Sequence, residues 1–306
     1  HARNPCCGWC ECGSTHRIYP LKPAIESMRD CPGSRLVGQF VEQRPFHEAT
    51  GASHVRDNTT RAKLLAGEPT LGSFLGLGSP HIAEMLGHAG FDWLGLETEH
   101  SAVESERVEQ MMMAMGGTVA TPIVRVTRGD PLEIARVLDI GAMGVIVPMV
   151  RTATDVETIV NATRYPPAGS RGFGPLRASR YAQDYEDYLN RANEQIVVAV
   201  IIETAEAIEN INQIAAVPGL DVMFLGLYDL CLSYGFNPNE MPFPQIDACI
   251  EQVLGAGVEH QVAVGMGVGS PEDLRQRRDQ GFRFLSYGTD YMLLAGAARA
   301  GIEAFG

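Results

Sequence analysis

Eight short apolar runs alternate with helix-like segments between Leu71 and Phe305. The runs are 71–75, 93–97, 121–125, 145–148, 196–202, 222–225, 263–266 and 284–287, each near-continuously apolar and rich in Val and Ile. That is the composition of strands covered on both faces. The segments between them carry helix start signals: Ser79-Pro80, Asp130-Pro131 and Ser270-Pro271 each place a capping side chain before a proline at the first helical position. Between Pro131 and Asp139 the apolar residues Ile134, Val137 and Leu138 recur at helical spacing, and Gly141 is placed to end that helix in the left-handed conformation. The same logic sets Gly90, Gly219 and Gly281 between helices and the strands that follow. One such run is ambiguous between strand and helix; eight in alternation predict a (β/α)8 TIM barrel, an α/β fold, over residues 59–306.

In such a barrel the active site lies at the C-terminal ends of the strands. His100 follows the second run, Arg125 closes the third, Glu203 follows the fifth and Asp229 follows the sixth, so side chains scattered in sequence would converge in space. Glu203 and Asp229 are hard oxygen ligands at adjacent strand ends, a pair suited to Mg2+ or Mn2+ with water and substrate completing the shell. The plainer reading has Glu203 capping the helix that begins near Thr204 and Asp229 making a loop turn. Arg125 ends an apolar strand, where a guanidinium is costly to desolvate unless it meets a carboxylate or a developing oxyanion. A structural ion pair with Glu97 or Glu99 is the alternative. His100 is flanked by those same glutamates, and a neighbouring carboxylate can fix one tautomer and raise the basicity of an imidazole acting as general base. Metal, arginine and base together suit the enolate chemistry of a 2-keto acid. Schiff-base chemistry would need a lysine at the strand ends, and the only lysines, Lys22 and Lys63, both precede the first run.

Composition narrows the class. The chain has 306 residues with 45% hydrophobic content, enough for one barrel, and no apolar stretch of transmembrane length. A formal net charge of −13 argues against a nucleic-acid partner and requires that an anionic substrate meet a locally positive site. Residues 1–58 read as an N-terminal extension that holds five of the seven cysteines: Cys6, Cys7, Cys10, Cys12 and Cys31. Cys7 and Cys10 have zinc-knuckle spacing with His16 nearby, but no second CxxC pair follows at ribbon spacing. Packing of this extension on the barrel or on a neighbouring subunit is the expectation. No basic region followed by an apolar segment opens the chain, so no signal peptide and a cytoplasmic location are expected.

The ordered motifs from about Thr60 to Phe305 resemble the metal-dependent class II pyruvate aldolases of the HpcH/HpaI type, the family that also contains macrophomate synthase. The resemblance is carried by Gly90-Phe91-Asp92-Trp93, Thr98-Glu99-His100, Arg125-Val126 with Gly129-Asp130-Pro131, and Leu138-Asp139-Ile140-Gly141-Ala142. Val147-Pro148-Met149-Val150, Arg164-Tyr165-Pro166-Pro167, Arg171-Gly172-Phe173-Gly174, Ile202-Glu203-Thr204 and Gly226-Leu227-Tyr228-Asp229-Leu230 complete it. It implies a pyruvate enolate made by retro-aldol cleavage of 4-hydroxy-2-oxo acids or by oxaloacetate decarboxylation with carbon–carbon bond formation. His100 would be the base, Arg125 the enolate stabiliser, and Glu203 and Asp229 the ligands of Mg2+ (or Mn2+ or Co2+). Backbone N–H groups around Gly226, Leu227 and Tyr228 would hold the pyruvate carboxylate, and the chain would form a homo-hexamer whose last helix is exchanged between neighbours.

Three departures bear on the substrate. Glu97 stands where the family pairs an aspartate with the histidine, Ile201 where a glutamine is common, and Gly226-Leu227-Tyr228-Asp229-Leu230-Cys231 where Gly-Pro-Ala-Asp-Leu-Ser is common. They leave the metal and enolate machinery intact and put the ordinary aldol partner in question. A citrate-lyase-like or malyl-CoA-lyase-like enzyme shares the barrel and paired acids but needs basic residues for a CoA tail. A non-catalytic oligomeric barrel is opposed by the intact His100, Arg125, Glu203 and Asp229.

Overall fold

A computed structural model of the chain describes residues 56–306. The cysteine-rich stretch with Cys6, Cys7, Cys10, Cys12, Cys31 and His16 lies outside the described residues. Eight parallel strands form a closed barrel in sequence order. They are β1 Thr70–Leu75, β2 Trp93–Glu97, β3 Thr121–Arg125, β4 Gly144–Val147, β5 Val197–Ile202, β6 Val222–Leu225, β7 Ala263–Val268 and β8 Phe284–Thr289. The (β/α)8 expectation holds, with shifts at strand ends. Pro148 falls outside β4, which ends at Val147. β7 runs further than its apolar run because Gly267 and Val268 pair with Ser286 and Tyr287, and β8 does so because Thr289 pairs with Phe74. A ladder needs backbone groups, not apolar side chains.

The expected helix starts are in place. Ser79 accepts from Ile82 N–H, Asp130 from Leu132 and Glu133 N–H, and Ser270 from Asp273 N–H. Ile134, Val137 and Leu138 are buried, and Gly141 follows that helix at φ +112°. A Cβ at Gly141 would in addition lie 2.4 Å from Arg177 Nη1.

Alternation along the strands divides the core in two. One set, including Leu94, Val124, Val145, Val198 and Leu225, packs outward against the helices. The other points into the barrel: Phe74, Trp93, Ile123, Ile146, Val197, Ala199, Ile201, Val222, Phe224 and Phe284, with Leu64. Leu64 comes from the helix Thr59–Leu65, which closes the N-terminal end of the barrel. That helix is tied down by Thr60 Oγ1 to Asp92 O and Thr121 Oγ1 (both 2.8 Å), by Arg61 to Asp221 (3.0 Å) and by Lys63 to Asp92 (2.6 Å). Lys63 is therefore spent at the closed end, away from the strand ends where a Schiff-base lysine would have to act.

The interior is unusually aromatic. Trp93 stacks on Phe284 at 4.0 Å and meets Phe74 edge-on at 5.6 Å. Room for these rings comes from glycines on the same inward positions. A Cβ at Gly72 would sit 2.1 Å from Trp93 Cδ2, and one at Gly95 would sit 2.6 Å from Phe74 Cδ1. Gly72→Ala should therefore overpack the floor of the site and destabilise the fold by roughly 1–3 kcal/mol or more. At about 2–4 °C per kcal/mol for a chain of this size, the fall in Tm is readable by calorimetry. An unchanged Tm would mean that the floor is loosely packed.

The arginine-rich motif residues have structural partners at the same closed end. Arg171 is buried over the Tyr165 ring (4.6 Å), bonded to Asp139 (2.6 Å) and to the Tyr188 hydroxyl (3.2 Å). Arg164 donates to Ile196 O at 3.2 Å. These residues fix the segment that leads into β5, whose far end bears Glu203.

Candidate active site at the C-terminal strand ends

Glu97 and Arg125 occupy paired positions at the ends of β2 and β3. Period-two alternation from Trp93 and from Ile123 turns both inward, one layer above the aromatic floor. An Arg125 Nη forms an ion pair with Glu97 Oε2, and Arg125 Nε lies 3.4 Å from Glu99 Oε2. The guanidinium also rests 5.1 Å above the Phe74 ring. The ion pair foreseen as the structural alternative for Arg125 thus exists, with both glutamates. It does not consume the side chain, because Nε has no hydrogen-bond partner and the guanidinium lines two cavities.

His100 lies just past β2, with its side chain 65% exposed and its Nε2 3.4 Å from Glu99 Oε2. The carboxylate that flanks the imidazole is therefore Glu99. Glu97 turns away: its Oε1 accepts the N–H groups of Glu99 (2.7 Å) and His100 (2.9 Å), and its Oε2 faces Arg125. Glu97 shapes the backbone on which His100 stands. Glu99, read from the sequence only as a flanking residue, is a member of the site. Burial pushes its carboxyl up to about 7; Arg125 opposes that shift, while Glu97 and Asp229 add to it.

Glu203 follows β5, continuing the inward series Val197, Ala199 and Ile201. It is buried, and its Oε1 accepts the Met149 N–H at 2.6 Å. Met149 holds a left-handed φ of +57°, uncommon for a residue with a side chain, and so aims its N–H across the barrel mouth. The other oxygen, Oε2, would lie 2.8 Å from a Cβ at Gly226; only glycine leaves that space open. Burial raises the Glu203 carboxyl above the ordinary range, opposed by the Met149 N–H and by Arg125 and reinforced by Glu99 and Asp229.

Asp229 sits in the first turn of the helix Leu227–Ser233 that follows β6, and Gly226 offers no side-chain cap to that turn. Arg125, Glu203, Gly226, Leu227, Tyr228 and Asp229 all line one cavity of about 410 Å³. His100, Glu97 and Arg125 line a second of about 430 Å³, joined to the first through Phe74, Arg125 and Thr289. Every candidate residue read from the sequence is thereby gathered at one barrel mouth. Sequence reasoning missed Met149, which acts through its backbone, and Phe74 and Thr289, which alternation alone could have placed inward.

Four carboxylates, Glu97, Glu99, Glu203 and Asp229, meet one guanidinium here, so a cation would offset charge that burial makes costly at Glu97 and Glu203. No group of three or more His, Cys, Asp or Glu side chains among the described residues forms a complete metal cage. Glu203 and Asp229 alone suit an oxygen-preferring divalent ion whose remaining positions go to water and substrate.

Residues 70–297 match the family described as HpcH/HpaI aldolase/citrate lyase. A 4-hydroxy-2-oxo-heptane-1,7-dioate aldolase of Escherichia coli (strain ATCC 8739) is 39% identical over 252 residues, which cover 82% of this chain and 95% of that protein. Among solved structures, an HpcH/HpaI aldolase/citrate lyase family protein from Burkholderia cenocepacia J2315 superposes with a TM-score of 0.78 at 34% identity, over 81% of this chain and 99% of that one. Macrophomate synthase shares the fold, with a TM-score of 0.71 at 23% identity over 81% of this chain and 91% of that one.

Proposed function

The chain belongs to the HpcH/HpaI aldolase/citrate lyase family, and from that premise we propose that it is a divalent-metal-dependent carbon–carbon lyase that generates the enolate of pyruvate from a 2-keto acid. The observation that carries this reading is the gathering of Arg125, Glu203 and Asp229 on one cavity, with His100 on the cavity that adjoins it. Glu203 and Asp229 would hold the ion, Mg2+ or else Mn2+ or Co2+, which when bound supplies Lewis acidity to the keto oxygen. The first-turn N–H groups of Leu227 and Tyr228, beside Gly226, lack helical partners and suit the carboxylate of the keto acid.

Arg125 stabilises the enolate oxygen as charge develops there, with donors left over from its pairing with Glu97. His100 takes the proton of the C4 hydroxyl as the C3–C4 bond of a 4-hydroxy-2-oxo acid breaks, and Glu99 supports the resulting imidazolium. Oxaloacetate decarboxylation passes through the same enolate but needs no base, since the departing CO2 leaves its electrons behind. The citrate-lyase-like alternative has less support. Arg125 and His100 are the only basic side chains lining the two cavities among the described residues, which leaves nothing for a CoA tail.

His100→Ala should therefore lose far more aldol cleavage than oxaloacetate decarboxylation. Glu99→Gln should show a milder version of the same split, because the neutral amide supports an imidazolium less well. Glu97→Gln should act differently, through Arg125, and depress both activities together. Pyruvate release from each substrate, followed side by side, checks all three variants. Parallel loss of both activities in His100→Ala would show that His100 holds the site together and is not the base.

The homo-oligomeric state belongs to the same reading, with a hexamer as its specific form. It is supported by the last helix, Asp290–Phe305, which buries only Asp290 and exposes Leu294, Ile302 and Phe305. Light scattering on the purified protein tests it, and a monodisperse monomer would overturn it.

A further inference from the structure

We propose that the electrophile joined to the pyruvate enolate, and released in cleavage, is an uncharged aldehyde with an apolar or aromatic tail. A semialdehyde ending in a carboxylate is disfavoured. This rests on the pyruvate-lyase reading above and adds the class of its second substrate.

Away from Glu203 and Asp229, the cavity that holds them is walled by apolar surface: Phe74, Ile201, Leu227, Tyr228, Val268 and Met292. The adjoining cavity continues that wall with Tyr291, beside His100. Pyruvate fills only a fraction of these volumes. A carbonyl positioned for attack by the enolate and proton exchange with His100 must carry its tail along this wall.

Charge points the same way. Arg125 is paired with Glu97 and lies beside Glu99, and the His100 imidazole also lies beside Glu99. No basic side chain without a carboxylate neighbour lines either cavity among the described residues. A second substrate carboxylate would meet Glu97, Glu203 and Asp229 and gain no counter-charge. The next groove along the barrel mouth, reached past Gly76, holds Arg107 and His81 but also Glu104 and Glu106, so its formal charge is not net positive.

The E. coli relative is named for a 1,7-dioate. Cleavage between C3 and C4 of that compound gives pyruvate and 4-oxobutanoate, whose carboxylate is the group this chain is not built to receive. In the synthetic direction pyruvate C3 loses a proton, its carbon bonds to the aldehyde carbon, and the aldehyde oxygen takes up the proton. The step needs no oxidant or reductant.

Butanal and 4-oxobutanoate form a matched pair with the same carbon chain, differing in the terminal charge; benzaldehyde samples an aromatic tail. The full-length protein with pyruvate and Mg2+ should condense butanal or benzaldehyde with a kcat/KM at least tenfold above that for 4-oxobutanoate, read as 4-hydroxy-2-oxo acid by mass spectrometry. Met292→Arg should narrow the gap at least threefold by raising the 4-oxobutanoate value. Equal or better use of 4-oxobutanoate by the parent protein would overturn the substrate class and leave the lyase reading standing. An unchanged gap in Met292→Arg would overturn this wall as its cause. Oxaloacetate decarboxylation without condensation of any aldehyde would also overturn the proposal alone, whereas loss of both reactions would overturn the lyase reading with it.

Discussion

Glu203→Gln should abolish turnover while leaving the barrel folded. The glutamine can still accept the Met149 N–H, so the local geometry survives and only the charge is lost. With Asp229 as the one remaining carboxylate ligand, the rate should fall by roughly three orders of magnitude, about 4 kcal/mol of barrier. Stability should move the other way. Glu203 is buried among acidic neighbours, so without a cation its charge burdens the fold, and metal-free Glu203→Gln should melt no lower than the metal-free parent. Cation at about a hundredfold above Kd should stabilise the parent by roughly 2.7 kcal/mol. That corresponds to about 5–10 °C in Tm, and the variant should gain little of it. Asp229→Asn should match Glu203→Gln in activity. Near-parental rates in either variant would mean that these acids hold no metal.

Arg125→Lys should not preserve function, even though the charge is kept. An ammonium cannot serve Glu97, Glu99 and a substrate oxygen together, as the planar fork of a guanidinium can. Loss of one oxyanion donor is worth roughly 3 kcal/mol, about two orders of magnitude in rate. The variant should also lose stability, because an ammonium that cannot serve Glu97 and Glu99 together leaves part of that charge stranded in a buried site. Since both effects share one substitution, the double variant Arg125→Met with Glu97→Gln separates them. It removes the stranded charge and should recover most of the lost Tm without recovering pyruvate formation. Activity that returned along with stability would make Arg125 a purely structural residue.

The strands were legible because each is covered on both faces, so its apolar run stood out against polar helices. Arg125 and Glu203 were legible for a related reason: a charge closing such a run must have a partner or a purpose. The choice between Glu97 and Glu99 was not legible. Residues 98–100 leave the strand, so alternation no longer says which carboxylate reaches the imidazole, and the backbone turn gives that place to Glu99. Met149 was hidden because it acts through an N–H in a left-handed conformation that its side chain does not advertise. Gly72 and Gly95 read as weak points in strands, yet they make room for Trp93 and Phe74 beneath the site.

The decisive measurement is pyruvate release from a 4-hydroxy-2-oxo acid and from oxaloacetate by the EDTA-treated protein, before and after Mg2+ or Mn2+ is restored. A metal-dependent lyase built on Glu203 and Asp229 should be silent in EDTA and recover on both substrates when the cation returns. Release that persists undiminished in EDTA would contradict it.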